Sequence, residues 1–378
     1  MFLHWILGGL SVVSFAITLW QWLVARRFPL HTRVVDTGFA PGVTLLKPLK
    51  GCDAETAACL RSWLTQDYAG PVQVLFGVAS ADDPVCAVVR QLSAENPRAK
   101  AELILCSESL GANAKVSTLI QIQCRAAHDH LIVSDADVRV PADFLTNVLA
   151  PLRDPGVGLV NCFYSLANPA TLAMRWEAVA INADFWSQVL QARSLKPLDF
   201  ALGAVMATRR AQLEAIGGFT ALVDCLADDY QLGNQIARRG HRIALCPVVV
   251  ECWERPLGWR EVWAHQLRWA RTVRVCQPVP YFFSIVSNAT LWPALWLITE
   301  PSRWPLTAAL LCWSARMATA LHHQSRLTRA NQHLWSDWLV LLKDVLQVGI
   351  WALAFLGSRV TWRGERYRVL RGGKLVKE

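Results

Sequence analysis

Between Gly42 and Val133 the chain alternates short apolar runs with longer stretches of helical periodicity. The runs are Val43–Leu46, Val72–Phe76, Glu102–Leu105 and Leu131–Val133. Compact aliphatic segments bounded by turn residues read as strands. Between them, Glu55–Gln66, Pro84–Glu95 and Lys115–Ala127 carry the spacing of helices. Such alternation predicts an α/β domain built on a parallel, doubly wound sheet. Right-handed crossovers would bring the strand C-termini to one edge, where ligands bind. Asp83 follows the second strand and Asp135 the fourth, so the two should converge there.

Residues 140–250 are more mixed. Arg209–Ile216 reads as a helix closed by Gly217-Gly218, which supply a left-handed cap. Asp228–Arg239 reads as a helix with acids in its dipole-favoured first turn, and Arg242–Cys246 as a strand. The two ends differ in kind. Residues 2–24 are apolar over a bilayer's width, with no Lys or Arg before them and Arg26, Arg27 and Arg33 after. That charge order predicts an uncleaved anchor with its N-terminus outside. Beyond Arg274, Tyr281–Thr299 (broken at Pro293), Pro305–Leu321 and Trp338–Leu356 are candidate spans. The last encloses Lys343 and Asp344, either a paired intramembrane site or an exposed pair on an interfacial helix.

The expected organisation is an anchor at 1–26, a cytoplasmic α/β domain at 40–274, membrane or interfacial helices at 275–358 and a basic cytoplasmic tail at 359–378. Three crossings after the domain would put that tail outside. One of the three stretches should therefore be interfacial or re-entrant.

Composition supports a membrane context: 53% of the 378 residues are hydrophobic and 18 are tryptophan. The net charge of +9 is spread along the chain rather than gathered in a patch. It suits an anionic membrane surface and argues against nucleic acid as a partner. The 11 cysteines are scattered singly without C-x-x-C pairs, as expected of free thiols in a reducing compartment.

The chemistry gathers at acidic stations. Asp135-Ala136-Asp137 follows a strand, and alternation would send both carboxylates to one side. Paired carboxylates repel unless a cation joins them, and Mg²⁺ or Mn²⁺ holding a diphosphate is one solution. A surface turn is the alternative. Asp228-Asp229 suits a helix N-cap or a general base. His265-Gln266-Leu267-Arg268-Trp269 puts a fixed cation and an indole on one helix, and Arg268 could neutralise a leaving diphosphate. Asn113 and Lys115, in a glycine-containing loop, could reach donor phosphates. Neither G-x-G-x-x-G nor G-x-x-x-x-G-K-[ST] occurs.

At these residues the chain resembles the family 2-like glycosyltransferases of the GT-A fold, a Rossmann-like mixed sheet. More closely it resembles the ceramide glucosyltransferase family and its bacterial relatives in hopanoid biosynthesis. The matching stretches are Leu46-Lys47-Pro48-Leu49-Lys50-Gly51 with Asp53, Asp82-Asp83-Pro84, Gly111–Lys115, Ser134–Val140, Gly217-Gly218-Phe219, Ala227–Tyr230, Arg268-Trp269 and Trp362–Arg368. The resemblance implies that Asp83 holds a uridine nucleotide and that Lys47, Asp53, Asn113 and Lys115 belong to the donor site. It implies that Asp135 and Asp137 bind a divalent metal (Mg or Mn) and the diphosphate. It makes Asp229 the catalytic base, with Arg268, Trp269 and His265 in the family's Q/R-x-x-R-W position. His265 replaces the usual Gln or Arg. The implied activity is inverting transfer of N-acetylglucosamine or glucose from a UDP-sugar to a membrane lipid. A hopanoid polyol is the favoured acceptor and ceramide the rival. A non-catalytic lipid- or partner-binding membrane protein is the reading from another class. The implied location is the cytoplasmic face of a bacterial inner membrane.

Overall fold

Val43–Leu49 (β1) is buried at all seven positions, as a strand covered on both faces must be. The computed structural model describes residues 2–330, 338–362 and 365–377. These residues fall into two units that interleave along the chain. Residues 30–168, 197–255 and 373–378 form an α/β unit; residues 1–29, 169–196 and 256–372 form a helical unit. Segment 169–196 lies inside the stretch expected to be the α/β domain, yet it packs with the helices near both termini.

In the α/β unit the remaining strands are Val72–Val78 (β2), Lys100–Leu105 (β3), His130–Ser134 (β4), Val138–Arg139 (β5), Val157–Leu166 (β6), Val205–Arg209 (β7) and Arg242–Cys252 (β8). They form one sheet in the order β3-β2-β1-β4-β7-β6-β8-β5. The four runs expected from the pattern are β1 to β4, and they pair in parallel. The sheet becomes mixed at β7, which runs antiparallel to both β4 and β6. The intervening helices are Thr56–Leu64, Val85–Glu95 and Ala114–Gln123. Leu45, Val74, Phe76, Ile132, Val160 and Ala207 centre the core. Strand β8 continues past the expected end at Cys246. Pro247 falls in the register shift against β6, where no ladder N–H is required.

In the helical unit, Phe2–Arg27 is, among the described residues, the one unbroken helix long and apolar enough to cross a membrane. Its buried hydroxyls, Ser11, Ser14 and Thr18, bond back to carbonyls one turn earlier. Pro278–Ser287 and Leu291–Thr299 meet at a 54° bend. The break expected at Pro293 comes instead at Asn288, whose carboxamide oxygen accepts from the amides of Thr290 and Leu291. Pro293 sits in the first turn of the next helix, where its missing N–H has no intrahelical partner to lose.

Lys343 and Asp344 lie on Leu339–Phe355 and belong to a buried four-charge cluster. Arg316, on Arg303–Thr328, donates to both oxygens of Asp344 at 2.9 Å and to Asp184 at 2.9 Å. Lys343 pairs with Asp184 and stands 3.5 Å from Asp344. The Thr290 hydroxyl adds a 2.7 Å bond to Asp344. Lys343 and Asp344 are therefore paired and buried among the helices rather than exposed. Arg359–Trp362 and Glu365–Val369 form a hairpin near the chain end. Arg363 and Gly364, between those strands, lie outside the described residues.

Candidate active site

The parallel strands β1, β2 and β4 end together on one edge of the sheet, which sets where each acidic loop begins. After β2, the Asp83 carboxylate accepts from the Gly51 amide at 2.9–3.0 Å and from the Val85 amide at 3.0 Å. It thus ties the loop after β1 to the start of helix Val85–Glu95. Asp53 caps the preceding helix instead: one oxygen accepts from the Glu55 and Thr56 amides and the Thr56 hydroxyl.

Strand β4 stops at Ser134, so Asp135 and Asp137 sit in a turn between β4 and β5. The strand alternation expected to align them does not apply there. Lys47, fully buried on β1, donates to the Asp135 carbonyl at 2.8 Å and the Ser134 hydroxyl at 3.2 Å. Its ammonium therefore shapes the acid turn from beneath, and burial pulls its pKa down to about 8. The Asp137 carboxyl is pushed up to about 7 by burial first, then by Asp135 and Glu254.

Lys115 reaches the turn from the start of helix Ala114–Gln123. It pairs with Asp135 at 2.8 Å and with Asp228 at 3.4 Å. Burial opposes its charge, but Asp135 and Asp228 outweigh that and hold its pKa well above the usual lysine value. Asn113 caps the same helix through its side-chain oxygen, while its amide donates to the Cys225 carbonyl (2.8 Å) and Asp228 (3.3 Å). The loop before Asp228 is thereby fastened to the Lys115 loop. Gly111 permits the close approach, because a Cβ there would lie 2.6 Å from Val223. The segment after Gly372 clamps the same loop through Leu226 N–H to Gly373 O (2.8 Å) and Leu375 N–H to Asp224 O (2.7 Å).

Asp229 opens helix Asp228–Arg238, and its Oδ1 accepts from the Tyr230 amide at 2.7 Å. Its Oδ2 faces Gly203, where a Cβ would approach to 2.7 Å. Burial, then the neighbouring Asp228, raises its pKa from 3.8 to about 6.

His265, Arg268 and Trp269 lie on Trp259–Cys276 in the helical unit. His265 Nδ1 is 2.8 Å from Glu177, and its ring meets Trp269 edge-on at 4.6 Å. Trp269 also packs against Phe185. Within the α/β unit, Lys47, Asn113, Lys115, Asp135 and Asp228 form one bonded network. Asp83 and Asp53 hold the neighbouring loops.

Two residues carry no signal that the sequence reading used: Glu254 and Glu177. The available cue for Glu177 was its place as the single acid in Thr171–Ala183, a mostly apolar stretch whose one cation is Arg175.

A family model, glycosyl transferase family 21, matches residues 6–375. The chain belongs to that family. It is 23% identical to ceramide glucosyltransferase 3 of Caenorhabditis elegans over 222 residues, covering 58% of this chain and 48% of that protein. It is 26% identical to an N-acetylglucosaminyltransferase of Bradyrhizobium diazoefficiens over 249 residues, covering 61% and 49%. The chain thus spans about half the length of these curated relatives. Among solved structures it is similar to the mannosyltransferase PcManGT of Pyrobaculum calidifontis, determined with GDP-Man and Mn²⁺. That match has a TM-score of 0.53 at 22% identity, covering 91% of this chain and 98% of that one. The fold is the GT-A glycosyltransferase fold.

Proposed function

We infer that the chain is a membrane-bound inverting glycosyltransferase. It moves N-acetylglucosamine or glucose from a UDP-sugar to a hydroxyl of a membrane lipid, with a hopanoid polyol as the favoured acceptor. The observation that carries this reading is the network Asp135–Lys115–Asp228, with Asp229 beside it, at the ligand-binding edge of a GT-A sheet.

Asp229 is the base. It takes the proton of the attacking hydroxyl as that oxygen bonds the anomeric carbon and the bond to UDP breaks on the opposite face. A pKa near 6 leaves its carboxylate ionised at neutral pH yet more basic than an ordinary aspartate. Lys115 is a fixed cation that keeps Asp135 and Asp228 in place, and Arg268 is assigned to the leaving diphosphate. Asp83 orders the loops around the nucleotide.

The residues present fit a divalent metal. Asp137, held up by burial and by Asp135 and Glu254, marks an excess of negative charge that a cation would relieve. Among the described residues no group of three metal-ligating side chains forms a closed cage. An ion such as Mg²⁺ or Mn²⁺ held by Asp135 and Asp137 would take its remaining positions from phosphate and water. Such an ion would supply charge neutralisation to the departing diphosphate.

The apolar helix Phe2–Arg27 and the bent pair after Pro278 support attachment to a membrane. The cytoplasmic face of a bacterial inner membrane is the assigned side. Similarity to ceramide glucosyltransferases favours a second reading, glucose transfer to ceramide. Expression in a host lacking both glycolipids, supplied with either lipid, followed by lipid mass spectrometry separates them. A hopanoid carrying N-acetylglucosamine or glucose is expected. A hexosylated ceramide alone selects the second reading, and unmodified lipids in both cultures reject both.

A further inference from the structure

Past Arg268, helix Trp259–Cys276 carries Arg271 and Arg274, three residues apart on one face. Arg271 donates to the carbonyl of Arg359, and Arg274 to the carbonyl of Gly357 at 3.3 Å. Each guanidinium is thus anchored on backbone, while the Nε–H of each finds no acceptor. Burial, then the charge of Arg274, lowers the Arg271 pKa, and among the described residues no acid offsets them. The hairpin extends the same charge. Tyr367 and Val369 are buried, so Arg366 and Arg368 face outward together. Arg368 lies directly opposite Arg359, which is also exposed. Like charges at opposed ladder positions repel, and an anion between them relieves that. All five arginines belong to the helical unit.

Apolar surface borders these cations. Arg274 lies over the Phe355 ring at 5.8 Å. Phe355 packs with Phe282 at 6.2 Å, and Phe282 with Phe283 at 5.1 Å. All three rings are exposed, and Leu356 beside them is 78% exposed. The apolar helix Phe2–Arg27 belongs to the same unit. Arginines next to exposed rings suit the boundary between headgroups and acyl chains, where the cations meet phosphate and the rings leave water. A soluble anion would occupy the arginines alone and leave the rings wet. We propose that Arg271, Arg274 and the outward face of the hairpin, Arg359, Arg366 and Arg368, dock the phosphates of anionic phospholipids. The neighbouring rings enter the acyl layer. The guanidinium fork matches phosphate oxygens, which it can hold bidentately. This rests on the membrane attachment inferred above, and not on the sugar or its acceptor.

The test uses the full chain in phosphatidylcholine nanodiscs carrying a trace of spin-labelled phosphatidylglycerol or spin-labelled phosphatidylcholine. The motionally restricted share of each spectrum gives the relative affinity of the protein for the two lipids. Wild type should prefer phosphatidylglycerol at least about fivefold, the contribution of one basic residue near an anionic surface. Arg271→Gln with Arg274→Gln, and separately Arg366→Gln with Arg368→Gln, should each lower that preference at least about threefold. Inorganic phosphate added at constant ionic strength should leave it intact. Equal affinity for the two lipids in wild type, or an unchanged preference in either folded double variant, would overturn the proposal. Displacement of the labelled lipid by inorganic phosphate would overturn it too, in favour of a site for free anions. If the helix variant does not fold, the hairpin variant, whose two side chains are exposed, decides alone. A wild-type chain that does not stay with the bilayer defeats the membrane attachment itself. A chain that stays but shows no lipid preference defeats only this inference.

Discussion

Asp229 offers the most direct test, because its environment sets a pH at which its role must appear. Burial, then Asp228, raises its pKa from 3.8 to about 6, which corresponds to about 3 kcal/mol against the ionised form. The base is the carboxylate, so rate rises with pH through the folded-state value. From pH 7 to pH 5, kcat/KM should fall about tenfold, whereas an ordinary aspartate would stay ionised across that range. Asp137 titrates nearby, so the profile must be taken at saturating divalent metal and repeated in Asp229→Asn. That variant should retain on the order of one hundredth of the rate or less, with no acid limb of its own. Stability moves the other way. The folded chain binds the Asp229 proton more tightly than the unfolded chain does, so this group's contribution is fully present below about pH 4 and lost as pH rises through about 6. Above pH 6, Asp229→Asn should therefore be more stable than wild type, by at most about 3 kcal/mol, read as urea midpoints in detergent at pH 5 and pH 7.5. A flat wild-type profile between pH 5 and 7, or an undiminished Asp229→Asn rate, would refute the assignment of the base.

Two further perturbations separate site from scaffold. Gly203→Ala would push a methyl against Asp229 Oδ2, 2.7 Å away; kcat should drop at least about tenfold with little change in Tm, and a fully active variant would show that this oxygen has no fixed place. Arg316→Met leaves Asp184 and Asp344 buried with Lys343 as the remaining cation of the cluster; stability should fall about 3–5 kcal/mol, and Arg316→Met with Asp344→Leu should recover part of it. Equal melting curves for the single variant and wild type would mean the cluster contributes nothing.

Parts of this molecule could be read from the chain because the signal is local. The runs that became β1 to β4 are short and mostly apolar, and β1 and β4 are buried at nearly every position, so the local pattern announces them. Gly217 and Gly218, with φ of +94° and +69°, end the helix Arg210–Ala215 where the sequence marked it. The acid positions were visible too, since each follows a strand or opens a helix. Their alignment was not. Asp135 and Asp137 were expected to share a strand face, but β4 ends one residue early and the turn decides where they point.

What the sequence by itself determined, then, is the set of elements and the acidic residues at their ends, because propensity, capping and apolar continuity act over a few residues. Only the tertiary structure decided which charges answer each other. Lys115 meets Asp228 across 113 positions of chain, Arg316 meets Asp184 across 132, and Glu177 meets His265 across 88. A buried charge must find a partner or leave the interior. The partner is set by how helices and strands pack, and no local pattern carries that information.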